Sequence, residues 1–217
     1  MRKVFSTITV IALVLLVSQV VYAGGFGIKG GVNFANLSTL DDEELEAFGI
    51  NLVTKTGGIF GFFYSFDLNR NFAIQPEVYY SQKGTQSSGS MNLFGVPIVY
   101  SLSINLDYIE IPILFKYKFP AQKINFALFA GPYVALKARA EGTFTVAGSG
   151  YEESEDLDLE EVKSTDFGLT FGADAAYKIG KGCIIIDLRY SLGLVEIADG
   201  SDAKNSAFTL MLGFAFK

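Results

Sequence analysis

The stretch Ala207-Phe-Thr-Leu-Met-Leu-Gly-Phe-Ala-Phe216 places a large apolar residue at every second position, mostly between small or polar residues. Successive side chains of a β-strand point to opposite faces, so this alternation predicts a strand with one strongly apolar face. Seven earlier segments carry the same alternation. The eight predicted strands are 25–36, 55–67, 71–83, 104–119, 123–138, 165–179, 183–195 and 206–217.

The connections between these strands alternate between long and short. Tight turns separate long links, in the order 37–54, Asp67 to Asn71, 84–103, Pro120 to Gln122, 139–164, Gly180 to Gly182 and 196–205. Outer-membrane barrels of bacteria have long external loops and short periplasmic turns. The rhythm therefore predicts an all-β, eight-stranded antiparallel up-and-down transmembrane β-barrel with both termini in the periplasm.

The charged residues distinguish this barrel from a soluble one of the lipocalin type, which would be polar outside. No position on the predicted apolar face is charged. The opposite face carries the mid-strand charges Lys29, Glu77, Glu110, Lys116, Asp174, Asp187 and Arg189, with Lys83, Lys118, Lys137 and Lys178 nearer the strand ends. Lipid is therefore the expected surrounding. Because eight strands enclose room only for side chains, we expect the mid-strand charges to pair into a network that fills the lumen. A proton or ion path is the alternative.

The N-terminal segment has the features of a secretory leader. Arg2 and Lys3 precede the apolar run Val10 to Val17, and Val21-Tyr-Ala23 fits the small-residue cleavage rule. We expect residues 1–23 to be a cleaved signal peptide and residues 24–217 to form the barrel domain. A retained membrane helix over residues 4–23 is the alternative.

The overall charge and composition exclude several function classes. Of 17 basic and 23 acidic residues, loss of Arg2 and Lys3 leaves 15 basic, a net charge of −8 that argues against a nucleic-acid partner. The chain has no histidine, the usual catalytic base, so we expect no enzyme, and we expect neither a cofactor nor a metal site. Cys183, the single cysteine, forms no internal disulfide and is expected to be a small inward filler.

Two of the long links are strongly acidic. They carry Asp41, Asp42, Glu43, Glu44 and Glu46, and then Glu152, Glu153, Glu155, Asp156, Asp158, Glu160 and Glu161. A solvated surface loop explains them, and binding of calcium or a basic surface protein is the alternative. No EF-hand spacing is present.

Prolines and aromatic residues add two further expectations. Pro76, Pro112 and Pro132 fall inside predicted strands, where the missing N–H predicts a bulge or a register break. Aromatic residues near the periplasmic strand ends predict an interfacial girdle. They are Phe26, Phe66, Phe72, Tyr117, Phe119, Phe126, Tyr177 and Phe216.

Six stretches, in order, resemble the PorT-like family of outer-membrane β-barrel proteins, common in the Bacteroidetes. They are Gly27-Ile-Lys-Gly-Gly-Val-Asn-Phe-Ala-Asn-Leu37, Gln75-Pro-Glu-Val-Tyr-Tyr-Ser-Gln-Lys-Gly84, Leu106-Asp-Tyr-Ile-Glu-Ile-Pro-Ile-Leu-Phe115, Gly131-Pro-Tyr-Val134, Arg189-Tyr-Ser-Leu-Gly193 and Leu212-Gly-Phe-Ala-Phe216. The resemblance implies an eight-stranded barrel and, for most members, no defined activity. The secretion and gliding role of the member that gives the family its name is not carried over.

These observations favour a structural or interaction protein of the outer membrane. Its expected partners are outer-membrane lipid, the barrel-assembly machinery during insertion, and a surface protein or cation at the acidic loops. The runner-up is a narrow, porin-like pore or a barrel subunit of a transport or secretion apparatus. A soluble ligand-binding barrel is a third possibility, which would need an apolar interior.

Overall fold

The computed structural model describes residues 22–38, 52–93, 96–148, 151–157, 159, 162–198, 200 and 202–216. These residues form nine strands: β1 Tyr22–Ser38, β2 Leu52–Asp67, β3 Phe72–Leu93, β4 Val96–Phe119, β5 Ile124–Gly148, β6 Tyr151–Leu157, β7 Thr165–Ile179, β8 Gly182–Gly193 and β9 Lys204–Phe216. The described part contains no helix with the length and apolarity to cross a membrane. Residues 1–21 of the predicted signal peptide and the acidic cluster at 41–46 lie outside the described residues.

All strand pairs are antiparallel, and they close a ring. β1 pairs with β2 and with β9, and closure on the far side runs through β4, β5 and β7. β6 pairs only with β5 among the described residues. The eight predicted segments therefore correspond to the strands of the ring, and the prediction missed β6. A closed sheet leaves no unpaired edge, which a hydrocarbon surrounding requires.

The two faces of the ring differ in polarity as the sequence predicts. Outward side chains are large and apolar, and Phe60 and Leu212 are 63% and 61% exposed. Inward side chains include Lys29 and Asp187, which are buried. Water would not stabilise an apolar exterior around a charged interior, so the arrangement fits a lipid surrounding.

Aromatic side chains cluster at the end of the ring that carries the three tight turns. Phe26 stacks on Phe216 with ring centroids 6.1 Å apart, and Tyr117 contacts Phe72 and Phe119 at 5.0 and 4.8 Å. Of the eight predicted girdle residues, only Phe66 is not among the exposed large hydrophobic residues. The other seven are exposed at this end of the ring, as an interfacial girdle requires.

The three prolines do not shift the register, so that expectation is wrong. Around Pro76 the β2–β3 ladder skips two rows, yet Phe63 still pairs with Glu77 and Phe66 with Ile74. The β4–β5 ladder likewise skips two rows beyond Pro112 and resumes in the same register. In an antiparallel ladder a proline removes one donor toward one neighbour, and the strand continues through its other bonds. The register shifts lie elsewhere, between Tyr22 and Gly25, Thr54 and Ile59, and Asp107 and Tyr108.

Two of the predicted long links are largely β-structure. The β3–β4 ladder continues to the pair Leu93 and Val96, and β5 continues to Gly148, where it pairs with both β4 and β6. We call this part the protruding sheet: residues 84–93 of β3, 96–105 of β4, 141–148 of β5 and all of β6. The links 84–103 and 139–164 were therefore wrongly predicted as loops.

The polarity of the faces reverses where the protruding sheet begins. On β4 the outward residues are apolar from Phe119 to Ile109 and then become Asp107, Asn105, Ser103 and Ser101. The inward residues change in the opposite sense, to Ile104, Leu102, Tyr100 and Ile98. The apolar outward stretch is close to the roughly 9–11 residues that a membrane-spanning strand needs. The reversal indicates that the sheet leaves the lipid there and continues in water.

Candidate functional site: the charged interior

A cluster of four charged side chains from three strands crosses the lumen. The Lys29 Nζ donates to Glu77 Oε1 at 2.9 Å and to Asp187 Oδ2 at 2.6 Å. The Arg189 guanidinium donates to the same two carboxylates, with Nη1 2.7 Å from Glu77 Oε2 and Nη2 2.6 Å from Asp187 Oδ2. Strand alternation explains the convergence, because Asp187 and Arg189 are two residues apart on β8 and both point inward.

This central cluster is electrically balanced and almost fully buried. Its two positive and two negative side chains are at most 3% exposed. Aromatic rings complete the packing: Lys29 lies 4.8 Å from the Phe63 ring centroid, and Arg189 lies 5.4 and 5.2 Å from those of Tyr79 and Phe129. A buried charge is costly unless it is paired and hydrogen-bonded, and here each one has several partners.

A glutamine links the central cluster to a second ion pair nearer the tight turns. Gln75 Nε2 donates to Glu77 Oε1 at 2.6 Å, and Lys116 Nζ donates to Gln75 Oε1 at 3.1 Å. Lys116 also contacts Asp174. Six of the seven predicted interior charges thus belong to one connected chain. Sequence reasoning missed Gln75 because it looked for charges only, although its inward position two residues before Glu77 was available as a signal.

Glu110, the seventh predicted residue, lies in a separate cluster with Lys83 and Asp166, which we call the outer cluster. Glu110 contacts Lys83, which the sequence had placed near a strand end. Asp166 Oδ2 accepts hydrogen bonds from Asn205 Nδ2 at 3.0 Å and from the Tyr133 hydroxyl at 3.3 Å. The β3–β4 register explains the separation, since Glu110 pairs with Tyr79, one inward position beyond Glu77.

An uncharged layer separates the two clusters. Ile59, Tyr79 and Met211 pack together and are buried. Asn33 donates to the Ser81 hydroxyl at 2.8 Å and accepts from the Thr209 hydroxyl at 2.8 Å. Ions passing along the lumen would have to cross this layer between two charged regions.

The outer end of the lumen is capped by apolar side chains. Leu37, Leu106, Tyr108, Tyr133, Ala135 and Val162 form a buried cluster. Leu159 and Ile197 pack against it from the segments that follow β6 and β8. These segments are joined by a bridge between Val162 and Ala198 and by the Lys163 N–H, which donates to the Ile197 carbonyl at 2.7 Å.

Glycines make room for the central cluster. Gly61 and Gly213 are the register partners of Lys29 on the two neighbouring strands, and both positions face inward. A Cβ at Gly61 would lie 2.0 Å from the Val78 carbonyl oxygen, and one at Gly213 would lie 2.7 Å from Lys29 Cγ. Side chains at either position would displace the lysine or the backbone of the adjacent strand.

The tight-turn end of the lumen is more open. A cavity of about 340 Å³ has the Lys116–Asp174 pair at its inner end. The Lys118–Asp67 pair, with Nζ 2.8 Å from Oδ1, also lines it. Cys183 lines the cavity as a buried free thiol. No group of three or more metal-ligating side chains occurs in the part of the chain that the structure describes.

At the opposite end, β6 carries four of the seven acidic residues predicted in its link. Glu152, Glu153, Glu155 and Asp156 are exposed, whereas Asp158, Glu160 and Glu161 lie outside the described residues. The Tyr151 hydroxyl donates to Glu153 Oε2 at 2.8 Å, and this hydrogen bond raises the pKa of the Tyr151 phenol. Arg139 pairs with Glu141 on β5, whose hydrogen bond raises the pKa of the guanidinium.

Sequence comparison identifies the family. Residues 23–199 match the family described as "Outer membrane protein beta-barrel domain". The chain belongs to this family. Its membership places the chain in an outer membrane, in agreement with the apolar exterior of the ring. None of the curated proteins is significantly similar to it in sequence.

Solved structures of several small outer-membrane proteins resemble this barrel domain. The attachment invasion locus protein Ail of Yersinia pestis is 14% identical, with a TM-score of 0.43 over 90% of this chain and 100% of Ail. Neisserial surface protein A is 12% identical, with a TM-score of 0.46 over 90% and 99% of the two chains. OprG of Pseudomonas aeruginosa is 12% identical, with a TM-score of 0.44 over 91% and 97%.

Proposed function

We propose that this protein is a small barrel of the bacterial outer membrane with a structural or interaction role and a lumen closed by its own side chains. The observation that carries the proposal is the balanced ionic cluster of Lys29, Glu77, Asp187 and Arg189 across the lumen. Ion pairs of this kind hold opposite walls together. The uncharged layer and the apolar cap support closure at two further levels.

We further propose that residues 1–23 are removed and that both termini lie in the periplasm. The tight turns and the aromatic girdle lie at the end where β1 begins and β9 ends, while the polar and acidic protruding sheet lies at the other end. In such barrels the long, polar elements lie on the extracellular side of the membrane. In this arrangement lipid contacts the apolar band, and the barrel-assembly machinery engages the C-terminal strand during insertion.

The proposed role is not catalytic. The chain has no histidine, and the interior carboxylates of Glu77, Asp174 and Asp187 are engaged by lysine or arginine. The finer assignment to PorT-like proteins is supported by the six matching stretches of sequence. The acidic loops would remain hydrated at the cell surface and be available to a protein or a cation.

Conductance tests the closed lumen. Purified protein inserted into a planar lipid bilayer is expected to give no stable openings at the nanosiemens level, because three layers of side chains obstruct the path. A heat-dependent shift in gel mobility of the same preparation checks that the barrel is folded. Stable openings from such a preparation would favour the narrow pore instead.

Thiol labelling tests the orientation. In a Cys183→Ala background, Ser154→Cys on the exposed β6 strand is expected to react with a membrane-impermeant maleimide on intact cells. The matched variant Asn69→Cys in the β2–β3 turn is expected to react only after the outer membrane is permeabilised. The reverse pattern would show that the termini face outward.

A further inference from the structure

Among the described residues, the strand β6 of the protruding sheet is paired on one side only along its whole length. Every strand of the ring has two neighbours, whereas β6 pairs only with β5 among the described residues. Half of the backbone N–H and C=O groups of β6 therefore have no strand partner there. An edge of this kind is a template on which another extended chain can add as a further strand.

The side chains of β6 limit what can add to it. Glu152, Glu153, Glu155 and Asp156 project to both faces of the strand, and the stretch Tyr151–Leu157 contains no basic residue. A second copy of the protein would bring two such acidic strands side by side, which like-charge repulsion opposes. A strand rich in lysine and arginine would be attracted on both faces.

The acidity is a property of this edge and not of the whole protruding sheet. The pairing of β2 with β3 ends at Leu52 and Ser87, so residues 88–93 of β3 also lack a second neighbour among the described residues. That stretch contains serine, glycine, methionine, asparagine and leucine and no charged residue. The sheet therefore has one neutral and one acidic edge.

The acidic edge is held in place by the sheet behind it. Seven consecutive residue pairs join β6 to β5, from Gly142 and Leu157 to Gly148 and Tyr151. The Thr145 and Ser154 hydroxyls are hydrogen-bonded at 2.9 Å. Residues 142–148 of β5 are in turn paired with β4. A partner strand would meet a strand that is already extended and so would lose less entropy on binding than with a flexible loop.

We propose that β6 is a docking strand for an extended, lysine- and arginine-rich segment of another protein. The segment adds to the sheet by backbone hydrogen bonds, and its basic side chains pair with the four carboxylates of β6. This inference rests on the proposed interaction role and adds that the partner segment is basic and extended.

The probe for the test is the labelled peptide Val-Lys-Lys-Thr-Lys-Lys-Val, titrated by fluorescence anisotropy against the full barrel in lipid nanodiscs. Saturable binding is expected. Neutralising the edge is expected to weaken it by about tenfold or more, since four weak exposed ion pairs are lost together. The variant combines Glu152→Gln, Glu153→Gln, Glu155→Gln and Asp156→Asn.

Two controls separate strand addition from general attraction. A matched variant removes the same charge from the acidic stretch 41–44, which is not part of β6, so strand addition to β6 predicts a change in binding of less than about twofold. It combines Asp41→Asn, Asp42→Asn, Glu43→Gln and Glu44→Gln. The equally charged peptide Val-Lys-Lys-Pro-Lys-Lys-Val is expected to bind about tenfold more weakly, because proline removes a ladder donor.

Amide hydrogen exchange distinguishes backbone pairing with β6 from binding by charge attraction alone. Peptide binding is expected to slow exchange within residues 152–156. Equal binding of the proline peptide, equal loss in the matched variant, or no saturable binding would each overturn the docking strand. These outcomes leave the closed lumen intact, since conductance and thiol labelling test that proposal separately.

Discussion

Glu77→Gln is expected to lower the free energy of unfolding by about 3–5 kcal/mol, the usual cost of removing one partner from a buried ionic cluster. Glu77 accepts hydrogen bonds from Lys29 and Arg189, and both cations are buried. Without its charge, Asp187 alone faces two cations and the cluster carries one uncompensated positive charge. The change is measured by urea-induced unfolding of the protein refolded in lipid vesicles. Circular dichroism follows the transition, because the chain has no tryptophan for fluorescence.

Two variants test whether charge balance is the cause. Asp67→Asn breaks the Lys118 pair, whose side chains are 21% and 35% exposed, and is expected to cost at most about 1 kcal/mol. Adding Lys29→Met to Glu77→Gln leaves Arg189 and Asp187 as a balanced pair. The double variant is therefore expected to be more stable than the sum of the two single effects predicts. Strict additivity would show that the four groups do not act as one cluster.

The membrane-spanning part of the fold was predictable because lipid imposes a simple rule on it. Every outward side chain between the girdle and the level of Ile109 must be apolar, so alternation with period two marks each strand, as in Phe208 to Phe216. The three tight turns follow from the same reading. The prolines misled the prediction because sequence alone does not tell toward which neighbour a nitrogen points.

The protruding sheet was missed because it follows the opposite rule. From Asp107 to Ser101 the outward positions of β4 are polar and the apolar residues lie on the inward face, so the pattern that marks a lipid-facing strand ends there. Stretches such as Gln86-Ser-Ser-Gly-Ser90 then have the composition of a loop. Their strands are held by neighbouring strands and not by lipid, and such pairing depends on residues far apart in the chain.

The interior was predictable in its members but not in its connections. The alternation of side chains along each strand places Lys29, Glu77, Asp187 and Arg189 inside. Which of these charges contact each other depends on the strand register and on the curvature of the ring. The ladder that pairs Tyr79 with Glu110 moves that glutamate to the outer cluster with Lys83. Uncharged side chains such as Gln75 were not predicted as members of the network, because the prediction considered only charged residues. Gln75 nevertheless joins the ion pairs.

Leu188→Arg is expected to destabilise the barrel by about 2–4 kcal/mol, because the new charge would face hydrocarbon near the middle of a strand. Leu188 lies on β8 between Ile186 and Tyr190 on the outward face and is 43% exposed. Leu194→Arg, just beyond the end of the same strand, is expected to cost only about 0–1 kcal/mol, since the side chain reaches the interface. The same urea titration in vesicles measures both.

The difference in stability between these two arginine variants tests whether the apolar band faces lipid or water, and not only whether the barrel folds. In water an exposed leucine contributes little to stability, so both substitutions would be nearly neutral and Leu188→Arg would increase solubility. In lipid the cost must depend on depth, because only the central position keeps the guanidinium away from water and headgroups. Equal effects at both positions would mean that the apolar band does not face a bilayer, and the inward placement of the charges would then need another explanation.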